Sequence, residues 1–354
     1  MKFDFIVGNP PYQDNTIGDN DTYAPPIYNK FMDAAFDIAD KVELIHPARF
    51  LFNAGSTPKA WNKKILQDEH FKIIQYEENC NKIFANTDIK GGIAISYHDS
   101  EKVFGAIEIF TPEEELNNIL KKVKNYIDFK SISDIVITRT AYRLTENMHN
   151  ENPFVRYKED NNGNNIGRLS KGHDYDMASN IFDRIPEIFF DNIPTDGFEY
   201  MSILGRKNNE RVLKYIRKDF VRTTKNTYFY KLIIPQASGS GEFGETISSP
   251  MIGSPGEGTT ETFITIGCFN TSSEAENCRK YICTKMCRTM LGILKRTQAL
   301  SPEKWKYVPL QDFTSSSDID WSKSIANIDK QLYKKYNLTN EEINFIETHV
   351  KEMV

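Results

Sequence analysis

The chain has 354 residues, 39% of them hydrophobic, 12% aromatic and 26% charged, with a formal net charge of −5. That length supports two domains and a sizeable core, while no apolar run approaches the roughly 18 residues of a membrane span. The amino terminus MKFDFIVGNPP lacks the basic, apolar and small-residue regions of a secretory signal, and the overall charge advertises no polyanion partner, so a nucleic-acid surface would have to be a local patch.

Phe3 to Val7 is a short apolar run ended by Gly8 and predicts a strand. Ile27 to Ala39 sets Tyr28, Phe31, Met32, Ala35, Phe36 and Ile38 at helical spacing. Val42 to Ile45, Phe71 to Tyr76 and Ile93 to Tyr97 read as strands, and Trp61 to Leu66 as a helix. This alternation predicts a parallel α/β sheet, with functional loops at the carboxyl ends of its strands. From about residue 126 to 310 the rhythm breaks. Strand-like runs at Ile135 to Ile137, Tyr228 to Ile234 and Thr262 to Phe269 are separated by loops such as EDNNGNNIG and PQASGSGEFGE. Ser273 to Leu294 reads as one helix opened by a capping box Ser273-x-x-Glu276. The tail from about Gln311 ends in a helix capped by Thr339-x-x-Glu342, with Ile343, Ile346 and Val350 on one face.

Five cysteines, an odd number, fit a reducing, cytoplasmic compartment. Cys278, Cys283 and Cys287 have no CxxC spacing and no nearby histidine, so they read as packing residues and no metal is expected.

The strand at the amino terminus runs straight into Asn9-Pro10-Pro11-Tyr12. An exocyclic amino group on an aromatic ring, as in adenine, has a delocalised lone pair and is a poor nucleophile. Two acceptors for its two protons bend the nitrogen toward tetrahedral geometry and free that pair. Asn9 offers a side-chain oxygen and Pro10 a backbone carbonyl, aimed by two prolines whose φ angles are fixed. Tyr12 offers a flat face for stacking. In-line placement of a methyl donor then supplies most of the rate by positioning. The simpler alternative is that Pro-Pro merely ends a strand; the full pattern of apolar strand, Gly, Asn-Pro-Pro and aromatic is much rarer. It specifies amino-group methylation better than it specifies adenine in DNA, a base in RNA or the amide of glutamine.

With FDFIVGNPPYQ, LIHPARFL (44–51), FANTDIKGGIAISYHD (84–99), LGILKRTQALSPEKWKYVPLQDF (291–313) and DIDWSKSIANIDKQLYKKYNLTNEEINFIE (318–347), the chain resembles the adenine-specific DNA methylases of type II restriction–modification systems. The resemblance implies catalytic roles for Asn9, Pro10 and Tyr12, and places Pro11 against S-adenosylmethionine. It implies a partial doubly wound, Rossmann-like methyltransferase sheet in an α/β catalytic domain (1–125), a mixed α+β target-recognition domain (126–310) and a helical tail (311–354). Such methylases build the donor pocket from a Gly-rich FxGxG loop that precedes NPPY, whereas only eight residues precede Asn9 here. Gly239-x-Gly241-x-x-Gly244 is followed by two prolines and further glycines, and reads as a flexible loop instead of a donor motif. The expectation is a carboxyl-terminal methylase portion that is inactive alone and completed by a donor-binding segment or second polypeptide. The strand at Phe3 to Val7 would then present an edge.

Local charge is strongly uneven. Met201 to Pro235 carries nine Lys/Arg against two Asp/Glu, and Arg279 to Lys306 eight against one. Arg206, Arg217, Lys218, Arg222, Lys225, Asn226, Lys295 and Arg296 are the expected contacts to double-stranded DNA, and the stretch Arg222 to Tyr228 the expected DNA-facing loop. Arg139 and Arg143 are weaker candidates; Tyr23 and Tyr28 could wall the base pocket, although helical spacing assigns Tyr28 to the core. The competing readings are a non-catalytic DNA-binding or specificity module, and a protein-glutamine or RNA methyltransferase.

Overall fold

The computed structural model describes residues 3–14, 24–52, 55–84, 89, 91–295 and 297–353. They divide into two units, Met1–Asn117 and Asn118–Val354. The first is built on alternation. Strand β1 (Phe3–Gly8) turns Ile6 toward the core and leaves Phe3, Phe5 and Val7 exposed. Helix α1 (Tyr28–Ile38) buries Tyr28, Met32 and Ala35, one stripe at i, i+4 and i+7. Strand β2 (Ala39–Pro47) follows at once, then helix α2 (Lys59–Leu66) with Trp61, Ile65 and Leu66 inward, and strands β3 (Phe71–Glu77) and β4 (Ile93–Asp99).

The sheet order is β1-β2-β4-β3, with β1 parallel to β2 and β4 antiparallel to both its neighbours. The sheet is therefore mixed and not all parallel. A parallel return needs a crossover, usually helical; the link from β3 to β4 has only the short 3-10 turn Cys80–Lys82 among its described residues. Gly92, at φ +76°, closes this link, and a Cβ there would meet the Glu77 carbonyl at 2.5 Å. Both helices contribute to one core cluster with Val42, Leu44, Phe71 and Ala94. Each fully buried large side chain of that cluster, such as Met32 or Phe50, contributes about 1.5–3 kcal/mol.

Helix α3 (Glu114–Lys124) spans the division between the units. The second unit carries β5 (Val136–Ile137), β6 (Arg143–Leu144), α4 (Glu146–Glu151), α5 (Ile181–Arg184), β7 (Tyr200–Lys207), β8 (Glu210–Arg217) and β9 (Val221–Arg222). Then come β10 (Tyr230–Pro235), β11 (Met251–Gly253), β12 (Glu257–Thr259) and β13 (Phe263–Phe269). The sheets are β11-β10-β13-β5, β12-β7-β8 and β6-β9. The β7–β8 hairpin turns on Asn208 and Asn209, both at positive φ, as a two-residue hairpin loop demands. Sequence periodicity does not reveal this hairpin, because it carries most of the first basic cluster.

Four helices follow: α6 (Ser272–Cys283), α7 (Lys285–Gly292), α8 (Ile325–Lys335) and α9 (Asn340–His349). The single helix expected over 273–294 is two. Thr284 takes an extended conformation and its hydroxyl accepts from the Cys287 amide, starting α7 afresh. The cap of α6 is Thr271, which accepts from Glu274, and not Ser273. At α9 the capping box of Thr339 and Glu342 is present, with Ile346 and Val350 buried. Cys278, Cys283 and Cys287 are buried and free.

Candidate functional site

Asn9 begins where β1 ends, at the carboxyl edge of the first sheet. A short antiparallel contact holds the loop: the Ile27 amide donates to the Tyr12 carbonyl at 3.2 Å and the Asp14 amide to the Pro25 carbonyl at 2.9 Å, with Gln13 bridged to Pro26. The loop is thus tied to the residues that open α1. Asn9 is exposed, and among the described residues neither its carboxamide nor the Pro10 carbonyl makes a hydrogen bond. Two acceptors on consecutive residues, one on a side chain and one on the backbone before a proline, thus have no hydrogen-bond partner among the described residues. Pro11 is exposed and Tyr12 half-buried. The Tyr12 hydroxyl is buried with no partner, and burial raises its pKa.

Beneath the loop, Tyr28 is buried as its spacing implied, stacked parallel to His46 at 6.0 Å and edge-on to Trp61 at 6.4 Å. His46 is completely buried. Its Nδ1 faces the Pro47 carbonyl at 3.2 Å and its Nε2 the Ser96 hydroxyl at 2.7 Å. A carbonyl only accepts, so Nδ1 carries the proton and Nε2 accepts from Ser96. Burial lowers the His46 pKa to about 4, against the opposing Pro47 carbonyl, and the ring is neutral. Arg49, just past the end of β2, is exposed with no carboxylate partner among the described residues. Its side chain lies against Gly55 and Gly91. Tyr23 lies outside the described residues.

In the second unit the expected DNA contacts separate into three groups. Arg206, Arg222 and Lys225 are exposed cations without a carboxylate partner among the described residues; Arg206 donates to the Asn209 carbonyl of its own hairpin turn at 3.0 Å. Arg217, Lys218 and Lys295 are paired. Arg217 lies between Glu151 at 2.5 Å and Asp219 at 2.6 Å, packed 3.6 Å over the Phe198 ring, and both carboxylates raise its pKa. Lys218 meets Glu199 at 3.0 Å and lies 5.2 Å over Tyr228. Lys295 is buried against Glu245. Asn226 is fully buried: its Nδ2 donates to Thr265 Oγ1 at 2.9 Å and the Gly267 carbonyl at 3.2 Å, and its Oδ1 accepts from Thr224 at 2.6 Å. With both ends of its amide occupied inside the fold, Asn226 reaches no base edge in this arrangement. Arg296 lies outside the described residues. Arg139 and Arg143 pair with Glu261 at 3.5 Å and Asp176 at 2.9 Å. Among the described residues, Arg222 and Lys225 have no carboxylate partner in the Arg222–Tyr228 stretch, and the Tyr228 ring, exposed although Lys218 lies over it, is followed by exposed Phe229.

The glycine-rich loop after β10 is folded, not loose. The Ser240 and Gly241 amides donate to the Glu245 carboxylate at 2.7 and 2.9 Å, with the Ser240 hydroxyl and Lys295 on the same group. Burial alone would raise the Glu245 carboxyl, but these donors overcome it and hold the pKa near 2. The loop leads into β11, not into a helix, and its amides already bind an anion. It does not fit a donor nucleotide. The Ser240–Glu245 loop therefore offers no donor cradle. No group of three or more His, Cys, Asp or Glu suited to a metal occurs among the described residues, and no described helix is long and apolar enough to cross a membrane.

Residues 1–84 match the family model described as Eco57I restriction-modification methylase. A stretch of 95 residues is 34% identical to a protein of Mycoplasma pneumoniae (strain ATCC 29342 / M129 / Subtype 1) described as an uncharacterized adenine-specific methylase, covering 26% of this chain and 22% of that protein. Among solved structures, the type IIG restriction endonuclease BpuSI aligns at 10% identity and a TM-score of 0.30, over 91% of this chain and 49% of that one. The type IIL restriction-modification enzyme MmeI, solved in complex with DNA, aligns at 10% and 0.32, over 98% and 56%. Superpositions this loose define no shared fold, and the alignments span about half of those two enzymes. Residues 1–84, with the Asn9–Tyr12 loop inside them, are similar to restriction-modification methylases, and a 95-residue stretch of the chain is similar to a protein described as an adenine-specific methylase.

Proposed function

We propose that the chain carries the target-amine portion of a DNA adenine-N6 methyltransferase of a restriction–modification system. The observation that carries this reading is a pair of acceptors, Asn9 Oδ1 and the Pro10 carbonyl, that have no partner among the described residues, at the carboxyl end of β1. The target adenine is swung out of the duplex, at a cost of a few kcal/mol, and stacks on Tyr12. Asn9 Oδ1 and the Pro10 carbonyl accept hydrogen bonds from its two amino protons, which frees the nitrogen lone pair from the ring; once the nitrogen takes the methyl group its surplus proton passes to solvent. S-adenosylmethionine, when bound, supplies the electrophilic methyl group; Pro11, exposed beside Pro10, is the residue placed to touch it.

The second unit serves as the target-recognition region, with the tail packed into it. Arg222 and Lys225 contact phosphates, and Tyr228 and Phe229 offer stacking faces. The free edge of β1 and its exposed Phe3, Phe5 and Val7 take a donor-binding α/β segment or second polypeptide. Helices α1 and α2 pack on the face of the sheet that carries Ile6, Val42 and Leu44, opposite the exposed Phe3, Phe5 and Val7.

Tritiated S-adenosylmethionine and mixed-sequence duplex DNA test the reading in the complete native assembly. Label recovered as N6-methyladenine is expected. Label on protein or RNA, or DNA binding with no transfer, would instead favour the glutamine or RNA methyltransferase, or the non-catalytic module.

A further inference from the structure

Lys231, in β10, is a fully buried ammonium. Its Nζ donates to four main-chain carbonyls: Asn226 at 3.2 Å, Thr227 at 3.3 Å, Phe229 at 3.1 Å and Ser254 at 2.9 Å. Three of those four belong to the loop between β9 and β10. An ammonium has three protons, so the carbonyls share them and the cation sits at a hub. Burying a charge is costly unless every proton is satisfied, and a loop of no consequence has no need of one.

The same loop is clamped elsewhere. The Thr224 amide donates to Thr227 Oγ1 at 2.9 Å, the Thr227 amide to the Thr224 carbonyl at 3.1 Å and the Phe229 amide to the Asn226 carbonyl at 3.2 Å. The Gly256 amide donates to the Thr227 carbonyl at 2.7 Å, and the buried Asn226 side chain ties the loop to β13. No buried side-chain polar atom of the described loop lacks a partner. What points outward is Arg222, Lys225, Tyr228 at 53% exposure and Phe229 at 37%. Aromatic rings held on a rigid backbone beside cations suit base stacking with phosphate contact.

We infer that Lys231 is a positioning residue, which pre-forms the 222–230 loop as a finger that contacts DNA through Tyr228, Phe229 and the flanking cations. The inference rests on the DNA reading of the second unit and goes beyond it by naming what shapes the contact.

The test uses the full chain and a fluorescently labelled mixed-sequence duplex, with amide hydrogen exchange read alongside. In the wild type the Thr224, Thr227 and Phe229 amides exchange slowly; fast exchange there overturns the inference without any variant. Tyr228→Ala, at the surface, weakens DNA binding about five- to a hundredfold, the range of one lost stacking contact. Lys231→Met speeds exchange in the loop and weakens binding at least as much, and the double variant loses less than the two single losses combined. Losses that add, or Lys231→Met binding like wild type, overturn the inference. If Lys231→Met does not fold, Tyr228→Ala and the wild-type exchange pattern decide. A wild type that binds no duplex overturns the DNA reading and this inference together. A wild type that binds equally well as Tyr228→Ala overturns this inference alone.

Discussion

Arg217 and Arg222 belong to one basic cluster and differ in everything but charge. Arg217 is wedged over Phe198 and Phe220 and neutralised by Glu151 and Asp219, whereas Arg222 is open to solvent. Arg217→Ala removes packing and strands two carboxylates, so it should lower unfolding stability by about 1–3 kcal/mol, read by denaturant titration. Arg222→Ala and Lys225→Ala should leave stability alone and each reduce the salt dependence of DNA binding by about one phosphate's worth, read from affinity against log salt. Counting Lys and Arg along the chain could not separate these residues. One of the two carboxylates that neutralise Arg217, Glu151, lies 66 positions away, and only the fold brings it there. The Asn9–Tyr12 loop was legible for the opposite reason: two prolines and the strand before them set its geometry locally.

At the scale of elements, period-two and helical spacing placed β1, α1, β2, α2, β3 and β4 close to where they lie. Direction was not legible, because the same alternation serves a parallel or an antiparallel neighbour, and β4 runs antiparallel. The break between α6 and α7 was missed because Thr284 is an ordinary helix residue until its hydroxyl caps the next turn. Thr284→Ala should therefore cost about 1 kcal/mol, measured by chemical unfolding. His46, in β2, gives the first unit a pH signature. An unfolded chain takes up the His46 proton near pH 6.5, while the buried neutral ring resists to about pH 4. The unfolded state thus binds more protons in this window, and stability falls as pH drops from about 6.5 to 4, by about 3 kcal/mol from this group. His46→Gln should flatten that part of the pH–stability curve; a curve parallel to wild type would show that the ring is protonated in the fold.

For the whole molecule, helices α1 and α2 cover one face of the first unit's sheet, while the opposite face near β3 and β4 is covered in part by Phe104. Both helices pack on the face with Val42 and Leu44, and β1 lies at the edge with Phe3, Phe5 and Val7 at 47%, 48% and 68% exposure. Open edges with apolar side chains invite pairing with other chains. Isolated chain should self-associate, and Phe5→Lys with Val7→Lys should suppress this in sedimentation without changing the circular dichroism. A monodisperse wild-type monomer would mean the edge needs no cover.

The two acceptors are the part on which the functional reading depends, and single-turnover methyl transfer reaches them most directly. With donor and duplex saturating in the complete assembly, Asn9→Ala should slow formation of N6-methyladenine by at least about a hundredfold, the usual loss when one positioned hydrogen-bonding group is removed from a reaction centre, with DNA affinity unchanged. A wild-type rate in Asn9→Ala would contradict the assignment of the amine to this loop.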